Sequence, residues 1–206
     1  MSIKKAIQHL SLDSKLAPVV AHVGLVAIAK NDDLYFTLLR AIVGQQLSTK
    51  AAATIWGRFL NLFPHHEPYA NLVLAVDTEQ LRSVGLSYQK AGYIKNIALF
   101  SIEQTLDYSV LKTQTNEELV AYLTQIKGVG KWTVEMILMF SLGREDVFTT
   151  DDLGIVTAMK NLYGIDTTNK AYKKEMIAIA EHWKPYRTYA CMCLWKWKDE
   201  LKTQLK

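Results

Sequence analysis

A chain of 206 residues, half of them hydrophobic and 21% charged, can bury one large core or two small lobes and is too apolar to be a disordered segment. Its net charge of +4 suits a polyanionic partner without requiring one, because the clustering of Lys and Arg decides such binding. Only Cys191 and Cys193 are present, which excludes an iron–sulfur or zinc site made of this chain's cysteines alone. Helical residues two apart point to different sides, so no disulfide is expected between them, and a reducing compartment fits best. Residues 1–10 lack an apolar signal core and no later run would span a bilayer, so no membrane partner is expected.

Two short helices open the chain, one over 3–10 and one from about 13 to 29, the second carrying Leu16, Val19, Val20 and Val23 on one face. Asn31-Asp-Asp33 then caps a helix over 34–43. Gly44-Gln-Gln-Leu-Ser48 interrupts it, and Ser48 is placed to cap the next helix, whose face holds Ala52, Ile55, Trp56, Phe59, Leu60 and Phe63 before Pro64. Gln45 and Gln46 have two readings at this junction, satisfying local backbone or reaching a ligand. His65 and His66 lie in a Pro-flanked loop and, being adjacent, cannot readily share one metal. Asp77-Thr-Glu-Gln80 has capping-box spacing for a helix that Gly85 ends, and Ser87 caps the long helix carrying Ala91, Ile94, Ile97, Ala98 and Phe100.

A second capping box, Thr115-Asn-Glu-Glu118, opens a helix that runs into Gly128-Val-Gly130. Both glycines can take positive φ and allow close backbone approach, and the following amides begin a helix whose N-terminus favours anions. A Gly-x-Gly between helices is usually only a turn. Here Leu123, Ile126, Val129, Thr133 and Val134 frame it with apolar packing, and a DNA phosphate becomes a natural occupant. The exit helix covers about 131–142, stopped by Gly143. Asp151 and Asp152 then stand at the start of a helix ending by Gly164, as caps, reactive acids or both. Thr168 is expected to cap a helix over 169–183 before Pro185, and the last helix, over 186–197, is unusually aromatic. No strand-like alternation appears, so the fold class is all-α.

Three stretches together, Leu39-Arg-Ala-Ile-Val-Gly-Gln-Gln-Leu-Ser48, the hairpin through the acid over 126–153, and His182-Trp-Lys-Pro-Tyr-Arg-Thr-Tyr-Ala190, resemble the helix-hairpin-helix superfamily of DNA glycosylases. Within it they are most similar to the alkylation-repair branch, DNA-3-methyladenine glycosylase II. The similarity covers most of the chain from about Leu34 onward. The bacterial long form adds an N-terminal β-rich domain, so this sequence reads as a short form. The resemblance implies two helical lobes with a cleft between them: 34–144, including the helix-hairpin-helix over about 116–142, and 1–33 with 145–206.

It also implies roles. Asp152 matches the superfamily's catalytic acid, with Asp151 a cap or neighbour. A helix N-terminus suits an ionised carboxylate that stabilises an oxocarbenium-like sugar. Trp132, Met136 and Trp195 fall at base-pocket positions, with Trp195 the expected stacking partner. Met136 replaces an aromatic residue of the long bacterial enzyme, which leaves the substrate range open. Related glycosylases that also cut the strand carry a Schiff-base lysine where Trp132 stands, so a monofunctional enzyme without lyase activity is expected. Gln45, Gln46 and Leu47 resemble residues that fill the gap left by a flipped base, and Leu86, Ser87 and Tyr88 form a second expected probe. Gly128 and Gly130 would hold a phosphate, with a Na+ or K+ ion bridging hairpin carbonyls, while Lys127 and Lys131 add salt-sensitive attraction.

The expected partner is damaged double-stranded DNA, with alkylated purines such as 3-methyladenine and 7-methylguanine as targets. A monomer without other cofactors is expected, in the bacterial cytoplasm with the nucleoid or in a eukaryotic nucleus. Excision of oxidised or deaminated bases, or duplex binding without catalysis, are the alternatives.

Overall fold

Side-chain oxygens just ahead of the apolar runs decide where this chain enters many of its helices. The structure, a computed structural model, describes residues 3–28, 31 and 33–204. It opens with α1 (Ile3–Leu10) and α2 (Leu16–Val23). Asp33 accepts the Phe36 amide at 2.8 Å to start α3 (Leu34–Gly44), and Ser48 accepts the Ala51 amide at 3.3 Å to start α4 (Thr49–Leu60). After α5 (Ala70–Ala75), Asp77 and Gln80 form a reciprocal capping box on α6 (Thr78–Ser83). Ser87 caps α7 (Tyr88–Glu103), Asp107 caps α8 (Tyr108–Leu111), and Thr115 with Glu118 forms the second capping box on α9 (Asn116–Leu123). Beyond the hairpin come α10 (Lys131–Phe140), α11 (Leu153–Tyr163), α12 (Tyr172–Glu181) and α13 (Arg187–Gln204). Each such cap satisfies an amide that has no partner inside its helix and contributes about 1 kcal/mol. Among the described residues the β pairing is one isolated bridge between Asp33 and Asp107, and the fold is all-α as expected.

The chain divides into two compact units, Met1–Lys30 with Leu138–Lys206, and Asn31–Ile137. The division falls inside α10 rather than at residue 144, because the last turn of that helix carries the buried Leu138 and Met139 into the first unit's core. In this first unit α13 packs on α11 and α2, and Leu16, Val19, Val20 and Val23 on α2 and Ala190, Cys191, Cys193 and Leu194 on α13 are buried. Asp13 ties the unit together. Its Oδ2 accepts from the Tyr163 hydroxyl at 2.8 Å and the Trp183 indole at 2.9 Å, while Oδ1 accepts the Lys15 and Leu16 amides. Burial would raise this carboxyl, but the bonds from Trp183, Tyr163, Leu16 and Lys15 together hold it below the ordinary carboxylate value. In the second unit α7 is central, with α3, α5 and α6 packed on it and α4 against α3.

Several boundaries depart from the sequence reading. The second helix stops at Val23 because Gly24 takes φ +66°, and residues 24–28 are not helical. Ala29, and Asp32 of the expected cap, lie outside the described residues. Thr168 does not cap α12: its amide and hydroxyl both donate to Asp166 Oδ1, closing a local turn, and the helix starts only at Tyr172. The final helix runs on to Gln204, and α5 and α8 were not foreseen.

Candidate functional site

Gly128 has φ +106°, and a Cβ there would lie 2.1 Å from the ring of Tyr93 on α7. The close packing of Tyr93 under the hairpin therefore demands glycine for two independent reasons. Val129 donates to the Ile126 carbonyl at 2.9 Å and the Asn96 side chain donates to the Lys127 carbonyl at 3.1 Å, which fixes the turn from both sides. Gly130 differs from expectation, since it is not at positive φ. It is exposed, and a Cβ built on it meets nothing within 4 Å, so only its surface position bears on ligand approach. Lys127 and Lys131 are exposed, the latter 3.5 Å from the buried Glu135.

In the same unit the 45–47 turn follows α3. Gln46 holds φ +57° and is exposed, Leu47 is 38% exposed, and Gln45 is half-buried. The second expected probe is corrected by the structure. Leu86 is 2% exposed and belongs to the core, because the Gly85 turn folds its side chain inward rather than outward. Ser87 spends its hydroxyl on the Lys90 amide as the α7 cap. Tyr88 is exposed, but its hydroxyl donates to Glu79 at 2.9 Å and the Arg82 guanidinium lies 4.0 Å above its ring.

On α10, Trp132 is 42% exposed and Met136 half-buried, and Phe140, missed by the sequence reading, is 45% exposed. Residues 132, 136 and 140 recur every fourth position, so they share one helix face. That spacing was the signal that would have found Phe140.

In the first unit, α11 begins at the acid. Asp152, not Asp151, is its N-cap, with Oδ1 accepting the Ile155 amide at 2.9 Å. Asp151 points to α12 and pairs with Lys173 at 2.5 Å. The same Oδ1 of Asp152 accepts the Trp195 indole N–H at 2.7 Å, joining α13 to the start of α11. Gly154 makes this approach possible: a Cβ there would sit 2.8 Å from Trp195 Cδ1 and 2.9 Å from both Trp195 Nε1 and Asp152 Oδ1. Phe140 lies against the other side of this assembly, its ring 5.5 Å from that of Trp195. Phe140, Trp195, Met192, Lys196 and residues 24–26 line an open cavity of about 390 Å³. That is within the usual range of small-ligand sites, about 300–1,000 Å³.

The third stretch of the resemblance holds the approach to the acid. Thr188 Oγ1 donates to the Arg144 carbonyl at 2.6 Å and accepts the Val147 amide at 3.0 Å, and Arg187 grips Asp146 through Nε at 2.6 Å and Nη2 at 3.0 Å. Residues 144–147 are thereby clamped just before the Thr149-Thr-Asp-Asp152 corner. These side chains position the backbone.

Helices flanking a glycine hairpin, with a capped aspartate opening a later helix, keep the order that carries the resemblance, and the comparisons agree with it. The model of the HhH-GPD superfamily base excision DNA repair proteins matches residues 39–185. DNA-3-methyladenine glycosylase 1 of Schizosaccharomyces pombe is 36% identical over 95% of this chain and 87% of its own length. A solved structure of an S. pombe 3-methyladenine DNA glycosylase in complex with abasic DNA is 36% identical, with a TM-score of 0.80 over 93% of this chain and 95% of that one. A DNA-3-methyladenine glycosidase from Bacillus halodurans is 35% identical, with a TM-score of 0.82 over 96% of this chain and 89% of that one. The chain belongs to the HhH-GPD superfamily of base excision DNA repair proteins.

Proposed function

We infer that this protein is a DNA glycosylase of base excision repair that releases alkylated purines, 3-methyladenine foremost, from duplex DNA. The observation that carries the reading is the Asp152 carboxylate held at the N-terminus of α11 by the Ile155 amide and the Trp195 indole, in a member of this superfamily. The relatives reported above are named for release of 3-methyladenine.

Asp152 stabilises positive charge that develops on the deoxyribose as the N-glycosidic bond breaks, and water completes the hydrolysis. A purine alkylated at a ring nitrogen is cationic and leaves without a strong general acid, so the site needs recognition more than proton transfer. The faces of Trp195 and Phe140 offer that recognition to a cationic base. Trp132 and Met136 keep the base-pocket roles that the resemblance implies. The hairpin at Gly128-Val-Gly130 grips a phosphate, aided by Lys127 and Lys131, while Gln45, Gln46 and Leu47 fill the space of the extruded nucleotide. A Na+ or K+ ion at the hairpin would be held by backbone carbonyls such as those of Ile126 and Lys127, each of which also accepts a hydrogen bond, and would add positive charge beside the phosphate.

The test is a panel of duplexes each with one lesion, scored for released base. Release from methylated purines and not from 8-oxoguanine or uracil supports the reading, whereas duplex binding without release from any lesion overturns it.

Gly154→Ala is expected to lower single-turnover release by about 10- to 100-fold, since it displaces a hydrogen bond to a charged group worth about 1.5–3 kcal/mol. Duplex affinity should stay within about twofold, because the hairpin is in the other unit. Equal release by variant and wild type would show that the indole contact is dispensable.

Trp132 offers no amine for a Schiff base, and a glycosylase without lyase activity is the expected outcome. A lysine there would be as exposed as the tryptophan it replaces and would remain an ordinary protonated ammonium, so Trp132→Lys should not trap on abasic DNA with borohydride. Efficient trapping by that variant would contradict this.

A further inference from the structure

The 45–47 turn holds an uncommon conformation. Gln46 has φ +57°, a left-handed value that side chains other than glycine rarely adopt and that persists only where the surroundings impose it. Gln45, at φ −52° and ψ 132°, and Gln46 are the two central residues of a type II turn closed by Leu47 N to the Gly44 carbonyl at 3.2 Å, a turn that ordinarily places glycine where Gln46 stands. A second brace comes from 45 residues away. Lys90 Nζ donates to the Gln45 carbonyl at 2.7 Å and to the Val43 carbonyl at 2.9 Å, the first at the C-cap of α3 and the second in its last turn, where carbonyls have no partner inside the helix.

A cation is also the favoured occupant of a helix C-terminus. Lys90 is itself held in place, since its amide donates to Ser87 Oγ at 3.1 Å in the first turn of α7. Lys90 is half-buried, and burial lowers its pKa. A lysine meant only to attract phosphate would be extended into solvent, as Lys127 is.

We propose that Lys90 is a positioning residue for base extrusion, clamping the 45–47 turn in the form that presents Gln46 and Leu47 to the DNA stack. This rests on the reading of that turn as the group that fills the gap left by a flipped nucleotide. Without the clamp the turn is held by the Leu47 to Gly44 bond alone, and two orphaned carbonyls draw in water. The hairpin and its lysines are untouched, so the encounter with undamaged duplex is preserved while insertion is slowed.

Stopped-flow fluorescence with 2-aminopurine beside a tetrahydrofuran abasic site reports insertion without needing base release. Lys90→Met should insert at least about tenfold more slowly than wild type, bind undamaged duplex within about twofold, and be largely rescued by Lys90→Arg, which keeps charged donors at similar reach. Gln46→Ala and Leu47→Ala are run beside it. If they slow insertion and Lys90→Met does not, the clamp is refuted while the insertion reading stands. If none of the three slows insertion, that reading fails and the clamp with it. A parallel loss of undamaged-duplex binding by Lys90→Met would show a general structural role and also overturn the proposal. Melting of each variant precedes the kinetics, and Lys90→Gln, neutral and shorter, takes the place of Lys90→Met if that variant melts below assay temperature.

Discussion

Asp152→Asn should release methylated purines about 10²- to 10³-fold more slowly than the wild type, the scale set by removing one preorganised electrostatic group from a reacting centre. The substitution isolates charge from architecture. Asparagine caps helices as well as aspartate does, so its side-chain oxygen still accepts the Ile155 amide that Asp152 now takes at 2.9 Å. The Trp195 indole, 2.7 Å from the same oxygen, keeps an acceptor too. The expected change in melting is therefore within a degree or two, and the activity loss reports the missing negative charge beside the sugar. Single-turnover release of 3-methyladenine from methylated duplex, with thermal melting as control, makes the comparison. Equal release by both proteins would remove Asp152 from the mechanism. Asp151→Asn should change release little, because that carboxylate is committed to Lys173 on α12.

What could be read from the sequence is what local chemistry decides. The caps at Asp33, Ser48, Asp77, Ser87, Thr115 and Asp152 each need only an oxygen one residue before an apolar run, and all are in place. The misreadings share a cause in competing or distant partners. Thr168 had the right residue type for a cap, but Asp166 two residues earlier offered its carboxylate first. The resemblance makes Leu86-Ser-Tyr88 a probe, yet the burial of Leu86 depends on how Gly85, at φ +107°, directs the chain. Gly154 is invisible as a requirement until α13 delivers Trp195 to Asp152 from 43 residues away. The Lys90 clamp is hidden for the same reason, since spacing does not say which carbonyl a long side chain will reach.

The two hairpin glycines, which the sequence presents as equivalent, should respond in opposite ways to alanine. Gly128→Ala places a methyl 2.1 Å from Cγ of Tyr93 at φ +106°. The cost combines a left-handed backbone, about 1–2 kcal/mol, with overpacking of about 1–3 kcal/mol, because Tyr93 is not the loose end of a flexible chain. Melting should fall by roughly 5–15 °C, or the hairpin should shift and duplex binding weaken with it. Tyr93→Leu in the same chain should recover part of the loss by giving the methyl room, a coupling that separates steric conflict from backbone strain. Gly130→Ala meets no atom within 4 Å and is not at positive φ, so melting should stay near that of the wild type. Its effect should appear only with DNA present, as weaker duplex binding where a phosphate approaches that surface. If Gly130→Ala binds duplex as the wild type does while Gly128→Ala alone loses it, the phosphate grip lies on the Gly128 side of the turn and the second glycine is a surface residue. Loss on both, with melting changed only in Gly128→Ala, places the DNA backbone over Gly130 and assigns Gly128 to the packing that holds it there.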